Sequence, residues 1–415
     1  MKIIIVGAGI NGVTAAIELK KRGHKVTLVD PGPLPHPLAA STDISKAVRA
    51  AYGADEDYTA LAERSIALWR DWNKTFGIEL YHEVGFLCMR QRELRPGDFE
   101  YESVQLLKRR GHKIEHIDSA QLRERFPAWN AERYAEGFFD HEAGYAESGR
   151  VVATLLERAK SLGVELREGT RFAELDESNG RVNGIALQDR QWSRREPSDI
   201  DGRAERPSER ERASQVLAGD IVVMAVGAWT PYLLPFTRKF FRATGHPVFH
   251  LQPRQPELFA PERFPIFGAD ISSTGFYGFP LSREGVVKVA SHGLGREMSP
   301  ESPEREVTTE EENNLREFLA GTFPVLADAP IVYTRRCFYC DTNDGHFWIA
   351  PDPERKGLIV AAGDSGHGFK FAPVLGEIIA DTVEGKANPL SKKFRWRPEI
   401  RAGIEKEAAR FQPKL

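Results

Sequence analysis

Apolar positions along the chain recur with two periods, and the switches between them mark out strands and helices. Ile3–Val6 is a continuous β-branched run, the pattern of a strand buried on both faces of a parallel sheet. Val13, Ala16, Ile17 and Leu19 then follow a helical period, Gly23 closes that helix, and Lys25–Val29 forms a second strand ending at Asp30. Pro31–Pro37 is a proline-punctuated loop, and Leu38–Thr42 leads into a helix expected around Asp43–Tyr52. Glu56–Phe76 reads as a long amphipathic helix with Leu61, Ile66, Leu68 and Trp69 inward. Leu80–Met89 is strand-like and opens a second domain. Asp118–Phe126 is a short capped helix, and Ser148–Ser161 a longer one ending before Gly163. Three strands, Val164–Leu166, Ala173–Asp176 and Arg181–Leu187, form a small β-excursion before Asp220–Val226 returns as a buried parallel strand. Phe236–Phe279 is β-rich, Val286–His292 alternates as a strand, and Glu310–Ala320 is helical. A final strand, Gly357–Ala362, runs into the helix Val374–Val383. The sum is an α/β fold built on a parallel sheet, with a β-rich second part.

Composition narrows the setting. A chain of 415 residues is too long for one compact core and should form two domains or one elaborated one. Basic residues number 57 against 60 acidic, so nothing points to nucleic acid or an anionic membrane. No apolar run approaches a membrane span, and the N-terminal run is interrupted by glycines and belongs to the fold rather than to a signal peptide. The cysteines Cys88, Cys337 and Cys340 are too few for a disulfide framework in a chain this long, which fits a reducing, cytoplasmic location. The terminal Pro-Lys-Leu leaves a peroxisomal address as the alternative. Residues 193–212 carry almost nothing apolar and are expected to be an exposed, charged insertion.

Candidate chemistry begins at the first turn. Gly7, Gly9 and Gly12 stand in the spacing G-x-G-x-x-G between a strand and a helix, and Asp30 follows at the end of the next strand. Gly7 makes the tight turn, Gly9 admits a pyrophosphate close to the backbone, Gly12 lets helix and strand approach, and Asp30 accepts from ribose hydroxyls. The phosphates would sit on the unsatisfied N–H groups at the helix start, around Ile10 and Asn11. Lys46 and Arg49, three apart on the expected helix, would share a face as an anion site or as a solvated surface. On the strand at Val286–His292, Lys288, Ala290 and His292 share one face. A second glycine-rich strand-to-helix turn, GDSGHGFKFAP from Gly363 to Pro373, again aims a helix start at an anion or a dipole. Cys337 and Cys340 could be buried thiols or a C-x-x-C redox or metal pair.

Taken in order, these stretches resemble the monomeric sarcosine oxidase family of flavoproteins, which shares its fold with D-amino-acid oxidase. The matching motifs are the glycine fingerprint with Asp30, K-x-x-R-x-x-Y-G at Lys46–Gly53 and VGAW at Val226–Trp229. YGFP at Tyr277–Pro280, K-x-x-x-H at Lys288–His292, C-x-Y at Cys337–Tyr339 and SGHGFKF at Ser365–Phe371 complete the set. CFYCDTNDGHFW and DSGHGFKF also resemble the fructosyl-amino-acid oxidases (amadoriases) of the same family. The resemblance implies a Rossmann-like FAD-binding domain over 1–80, 145–235 and 336–395, and a β-rich α+β substrate domain over 81–144 and 236–335. Residues 396–415 would be a tail. It implies FAD bonded through the sulfur of Cys337 and held by Gly7, Gly9, Ile10, Asn11, Gly12, Asp30, Ser41, Thr42, Gly227, Trp229, Gly363, Gly366, Gly368, Phe369 and Lys370. Arg49, Lys370 and Lys46 would bind a substrate carboxylate. Lys288 would serve O₂, and His292, Tyr277 and Tyr339 would surround the amine. No metal is implied, and the protein would be a monomer with a small amine substrate. The implied activity is oxidation of a carboxylate-bearing secondary amine (sarcosine-like, cyclic or fructosyl) to an imine, with hydrogen peroxide formed from O₂. A dehydrogenase with another electron acceptor, an NAD enzyme and a non-catalytic flavin scaffold are the alternatives. Three departures matter. Lys46 stands where sarcosine-type members carry arginine, amadoriases lack a counterpart of Arg49, and Ser291 replaces a bulkier aromatic.

Overall fold

The structure, a computed structural model, describes residues 1–188, 215–400 and 409–410. The charged stretch 193–212 lies outside the described residues, as do 401–408 and 411–415 of the expected tail. Strand β1 (Lys2–Val6), helix α1 (Ile10–Lys21) and strand β2 (Lys25–Asp30) form the expected N-terminal unit. They lie at the centre of a six-stranded sheet ordered Trp348–Pro351, Leu358–Ala362, Ile221–Met224, β1, β2, Glu165–Glu168. All neighbours are parallel except the first pair. Alternation along β1 serves two cores. Ile3 and Ile5 face a helical layer, whereas Ile4 and Val6 face a second cluster with Phe172, Val182 and Ile185 from a three-stranded antiparallel excursion.

The sequence expectation fails at Asp43–Tyr52. There the chain forms a strand, β3 (Lys46–Val48), antiparallel to Gly144–Ala146. Its residues are good helix formers in isolation, but the ladder and the burial of Val48 decide the outcome. Lys46 and Arg49 therefore do not share a helix face; Lys46 lies in the strand and Arg49 just beyond it, and both border one pocket. Helix α2 (Glu56–Phe76) follows, capped by the Asp55 side chain, which accepts from the Tyr58 N–H, and ended by Gly77 in the left-handed region.

The second large sheet has nine strands. Strand β4 (Phe241–Leu251) lies between β5 (Val287–Ser291) on one side and β6 (Ile331–Thr342) on the other. One face of the sheet packs Phe249, Val287 and Val289 against Leu315, Phe318 and Leu319 of the helix Thr309–Thr322. The other face carries Val248, Ala290, Cys337 and Tyr339, in a cluster of their own. Strand β6 pairs with β4 as far as Thr342, so the domain boundary expected at 336 falls inside one continuous strand. After the strand Leu358–Ala362, a turn and one 3₁₀ turn lead into helix α3 (Ala372–Val383), which lies against α1 and α2. Among the described residues no helix is long and apolar enough to cross a membrane.

Candidate active site

The six-stranded sheet ends in a cradle. Gly7 has φ of +98°, and a Cβ on Gly12 would come within 1.8 Å of the Gly7 carbonyl oxygen, so β1 and α1 approach as only glycine permits. Asp30 accepts from the N–H groups of Ala8 and Gly32, both at 2.8 Å, which fixes its carboxylate beside the turn. A cavity of about 420 Å³ opens here, lined at one end by Gly7, Gly9, Ile10, Asn11 and Asp30. It runs past Ser41, Gly227 and Trp229 to Lys46, Cys337, Tyr339, Gly366, Gly368 and Phe369. Three residues expected at the cofactor stand behind it. Gly12 supports the turn, the Thr42 hydroxyl donates to the His36 and Ala39 carbonyls, and a Cβ on Gly363 would strike Thr342 and Phe241. A fourth, Lys370, faces a neighbouring pocket instead.

Strand β6 brings Cys337 to the far end of this cavity. Cys340, three residues on, lies in a different cluster, as strand alternation requires, so the two are not a C-x-x-C pair. The Lys46 Nζ lies 3.6 Å from the Cys337 Sγ. Burial opposes the charge of Lys46, but Cys337, Asp43 and Tyr277 outweigh it and hold its pKa above the ordinary value. Lys288, on β5, is fully buried and forms an ion pair with Asp43 at 2.5 Å, while its Nζ donates to the Ser45 carbonyl at 2.5 Å. Burial pushes its pKa down to about 8, Lys46 adds to that, and Asp43 opposes it. Burial acts against Asp43 too, yet Lys288, His250 and Lys46 hold its carboxyl well below the usual range. Lys288 borders neither the main cavity nor the second pocket described next; it lines a small cleft with Ser45, Phe279 and Glu147.

A second pocket, about 60 Å³, shares Lys46, Tyr277, Gly366 and Phe369 with the first and adds Arg49, His292, His367 and Lys370. The Arg49 guanidinium sits 5.3, 5.7 and 5.4 Å from the ring centres of Tyr52, Phe86 and Phe99 and donates to the Ala51 carbonyl. Lys370 Nζ donates to the Tyr52 hydroxyl and to the His367 carbonyl, each at 2.9 Å. His367 Nε2 donates to the Gly345 carbonyl at 3.0 Å, which leaves Nδ1 to accept from the Tyr52 hydroxyl at 3.1 Å. From α2, the Trp69 Nε1–H and the Ser65 hydroxyl both donate to the Lys370 carbonyl, at 2.8 and 2.6 Å. Two cations from distant segments thus converge on one small pocket, each held by aromatic or hydrogen-bonding neighbours.

Aromatic side chains wall the passage between the pockets. The Tyr277 and His292 ring centres are 6.3 Å apart, and His292 Nδ1 lies 3.4 Å from the Tyr339 hydroxyl. Burial raises the pKa of both phenols, keeping them protonated. A Cβ on Gly366, which has φ of +81°, would enter the Tyr339 ring at 2.2 Å, so the glycine turn and the tyrosine fit only together. Behind Tyr339, the His246 ring stacks at 3.8 Å. Asp43, Tyr52, His246 and His367 were not singled out as site residues from the sequence. The K-x-x-R-x-x-Y-G and SGHGFKF motifs contain Tyr52 and His367, and that was their only signal.

These residues fit FAD. The Asn11 Oδ1 is buried without a partner in the cradle, the first-turn N–H groups of α1 stand outside the helical ladder, and the cavity reaches from Asp30 to Cys337. Among the described residues no group of three or more His, Cys, Asp or Glu is placed to hold a metal ion. The fold and the cradle define a dinucleotide-dependent enzyme of the flavin type. The pattern of the FAD dependent oxidoreductases matches residues 2–382, and the chain belongs to that family. It is 26% identical to a monomeric sarcosine oxidase of Bacillus sp. (strain B-0618), over 97% of this chain and 98% of that one. It is 27% identical to the L-saccharopine oxidase of Schizosaccharomyces pombe, over 96% and 94%. In fold it is similar to the fructosamine oxidase amadoriase II of Aspergillus fumigatus, with a TM-score of 0.80, 24% identity, and 99% and 93% of the two chains covered.

Proposed function

We propose that the protein is an FAD-dependent oxidase of a secondary amine that carries a carboxylate. The observation that supports this best is the convergence of Arg49 and Lys370 on one small pocket that shares Tyr277 and Phe369 with the cofactor cavity. The names of the relatives, sarcosine oxidase and saccharopine oxidase, agree in substrate type. FAD, held by Gly7, Gly9, Asp30 and Cys337, would supply the two-electron chemistry: the CH–NH unit would lose two electrons and two protons to become an imine that water hydrolyses, and O₂ would gain them as hydrogen peroxide. The chain does the rest. Arg49 and Lys370 hold the carboxylate through charge-assisted hydrogen bonds and so fix the amine in one orientation. Tyr277, Tyr339 and His292 exclude water around the nitrogen, and Lys46 places positive charge in the cavity where negative charge develops, while Lys288, outside both pockets and paired with Asp43, serves the O₂ step only through the longer-range field of its ammonium. Cys337 bonds the cofactor covalently. A dehydrogenase with a non-oxygen acceptor is the second reading, favoured by one observation: Asp43 already balances the charge of Lys288. A screen of N-methyl, cyclic and fructosyl amino acids, with peroxide release and an artificial acceptor read side by side, tests both. The first reading expects peroxide at a rate matching amine consumption. Turnover only with the artificial acceptor selects the second, and turnover with neither removes both.

A further inference from the structure

Arg410, close to the end of the chain, reaches the wall of the substrate pocket. Its Nη1 and Nη2 grip the two oxygens of Asp341 at 2.6 and 2.7 Å, and its Nε donates to the Gly293 carbonyl at 2.8 Å. Both charged side chains are about nine-tenths buried, at 10% and 5% exposure, and Ala409 beside them is fully buried. Gly293 directly follows His292, and Asp341 lies two residues beyond Tyr339 on β6. One guanidinium therefore ties together the turn that carries the histidine and the strand that carries the tyrosine.

The link continues inward. Asp341 also accepts from the Thr244 hydroxyl at 2.5 Å. Having given its proton to Asp341, that hydroxyl accepts from His246 Nε2 at 3.0 Å, which fixes the tautomer of a ring stacked on Tyr339 at 3.8 Å and 22°. The Tyr339 hydroxyl meets His292 at 3.4 Å, and the Arg410 guanidinium lies 5.6 Å from the Tyr339 ring centre. Burial, with Arg410, His292 and Arg336 adding to it, keeps His246 neutral.

We infer that Arg410 is a positioning residue: acting through Asp341, Thr244 and His246, it sets the orientation of Tyr339 and His292 over the reacting amine. Two-point contact is required, because a planar guanidinium spans both carboxylate oxygens while an ammonium engages one. The inference rests on the amine-oxidase reading above. Carboxylate binding, assigned to Arg49 and Lys370, should be independent of it.

The test uses FAD-loaded enzyme and separates orientation from binding. Anaerobic flavin reduction by an N-methyl amino acid is followed in wild type, Arg410→Gln, Asp341→Asn, the double variant and Arg410→Lys. Affinity is read in parallel from the flavin absorbance change on adding methoxyacetate, which has an ether oxygen in place of the amine. Reduction at saturating amine should fall roughly tenfold or more in each single variant, and no further in the double, since both cut one link. Arg410→Lys should recover part of the rate, and the methoxyacetate Kd should stay within about twofold throughout. Unchanged reduction, or rate and affinity falling together with flavin content, overturns the inference. Should Arg410→Gln not fold, Thr244→Val cuts the chain one link further in. It must slow reduction without weakening methoxyacetate, or the inference is lost. Wild type that oxidises no carboxylate-bearing amine removes the underlying reading and the inference with it. Wild-type turnover matched by every variant removes the inference alone.

Discussion

Lys288 is a buried ammonium facing a buried carboxylate, Asp43. Removing one member of such a pair strands the other charge, at a cost of about 3–5 kcal/mol, whereas removing both can be close to neutral. Lys288→Met alone should therefore lower stability in urea unfolding by that order, and Asp43→Asn with Lys288→Met should recover most of it. The recovered double variant is also the cleaner probe of oxygen chemistry. Its reduced flavin should reoxidise in O₂ far more slowly than wild type, with anaerobic reduction little changed; equal loss in both half-reactions would assign Lys288 to the amine instead. In wild type the ammonium is present below its pKa of about 8 and lost above it. Reoxidation should then slow as pH rises through about 8, and a flat profile counts against a charged Lys288. Arg49 makes the complementary case. A charge-assisted bond to a carboxylate is worth about 1.5–3 kcal/mol, so Arg49→Ala should cost roughly ten- to a hundredfold in kcat/KM for an acid substrate. The matching amide should suffer much less, and comparing acid and amide in both enzymes isolates the carboxylate contribution as a double-mutant cycle. Equal losses would make Arg49 a packing residue among Tyr52, Phe86 and Phe99.

The elements differ in how far the chain alone predicts them. The junction of β1 and α1 is governed by local contacts: Gly12→Ala drives a methyl into the Gly7 carbonyl, which backbone cannot avoid. That variant should be purified with little flavin, while Gly23→Ala, where a Cβ meets nothing within 4 Å, should retain it. Gly23 has φ of +86°, so its cost should appear as lost stability instead. Helices with strong period and clear stops were legible for the same reason: the spans read as Glu56–Phe76 and Ser148–Ser161 are the spans observed. β3 was not, because its partner Gly144–Ala146 lies far along the chain and no local signal competes with its helix-forming residues. Side chains show the same division. Glycines, Cys337 and the paired cations stand in motifs. Asp43, His246, Asp341 and Arg410 are ordinary polar residues in sequence, and become distinctive only once burial and remote partners are known.

At the scale of the whole molecule, the cavity joins the two large sheets. Its glycine cradle belongs to the six-stranded sheet, and Cys337 belongs to β6 of the nine-stranded one. A cofactor held in the cradle and bonded at Cys337 would tie one sheet to the other, and this has a thermodynamic signature. A reversibly bound ligand stabilises the folded state by RT ln(1 + [L]/Kd), about 1.4 kcal/mol for each tenfold rise in concentration above Kd. A tethered one is present at fixed stoichiometry, so added FAD changes nothing. Wild-type Tm should therefore be indifferent to added FAD, and acid precipitation should leave the yellow colour in the pellet. Cys337→Ser should release colour to the supernatant, and its Tm should climb with the logarithm of FAD concentration. A wild type that bleaches on precipitation, or whose Tm rises with FAD as the variant's does, would leave Cys337 a buried thiol beside Lys46, with the two sheets joined by packing alone.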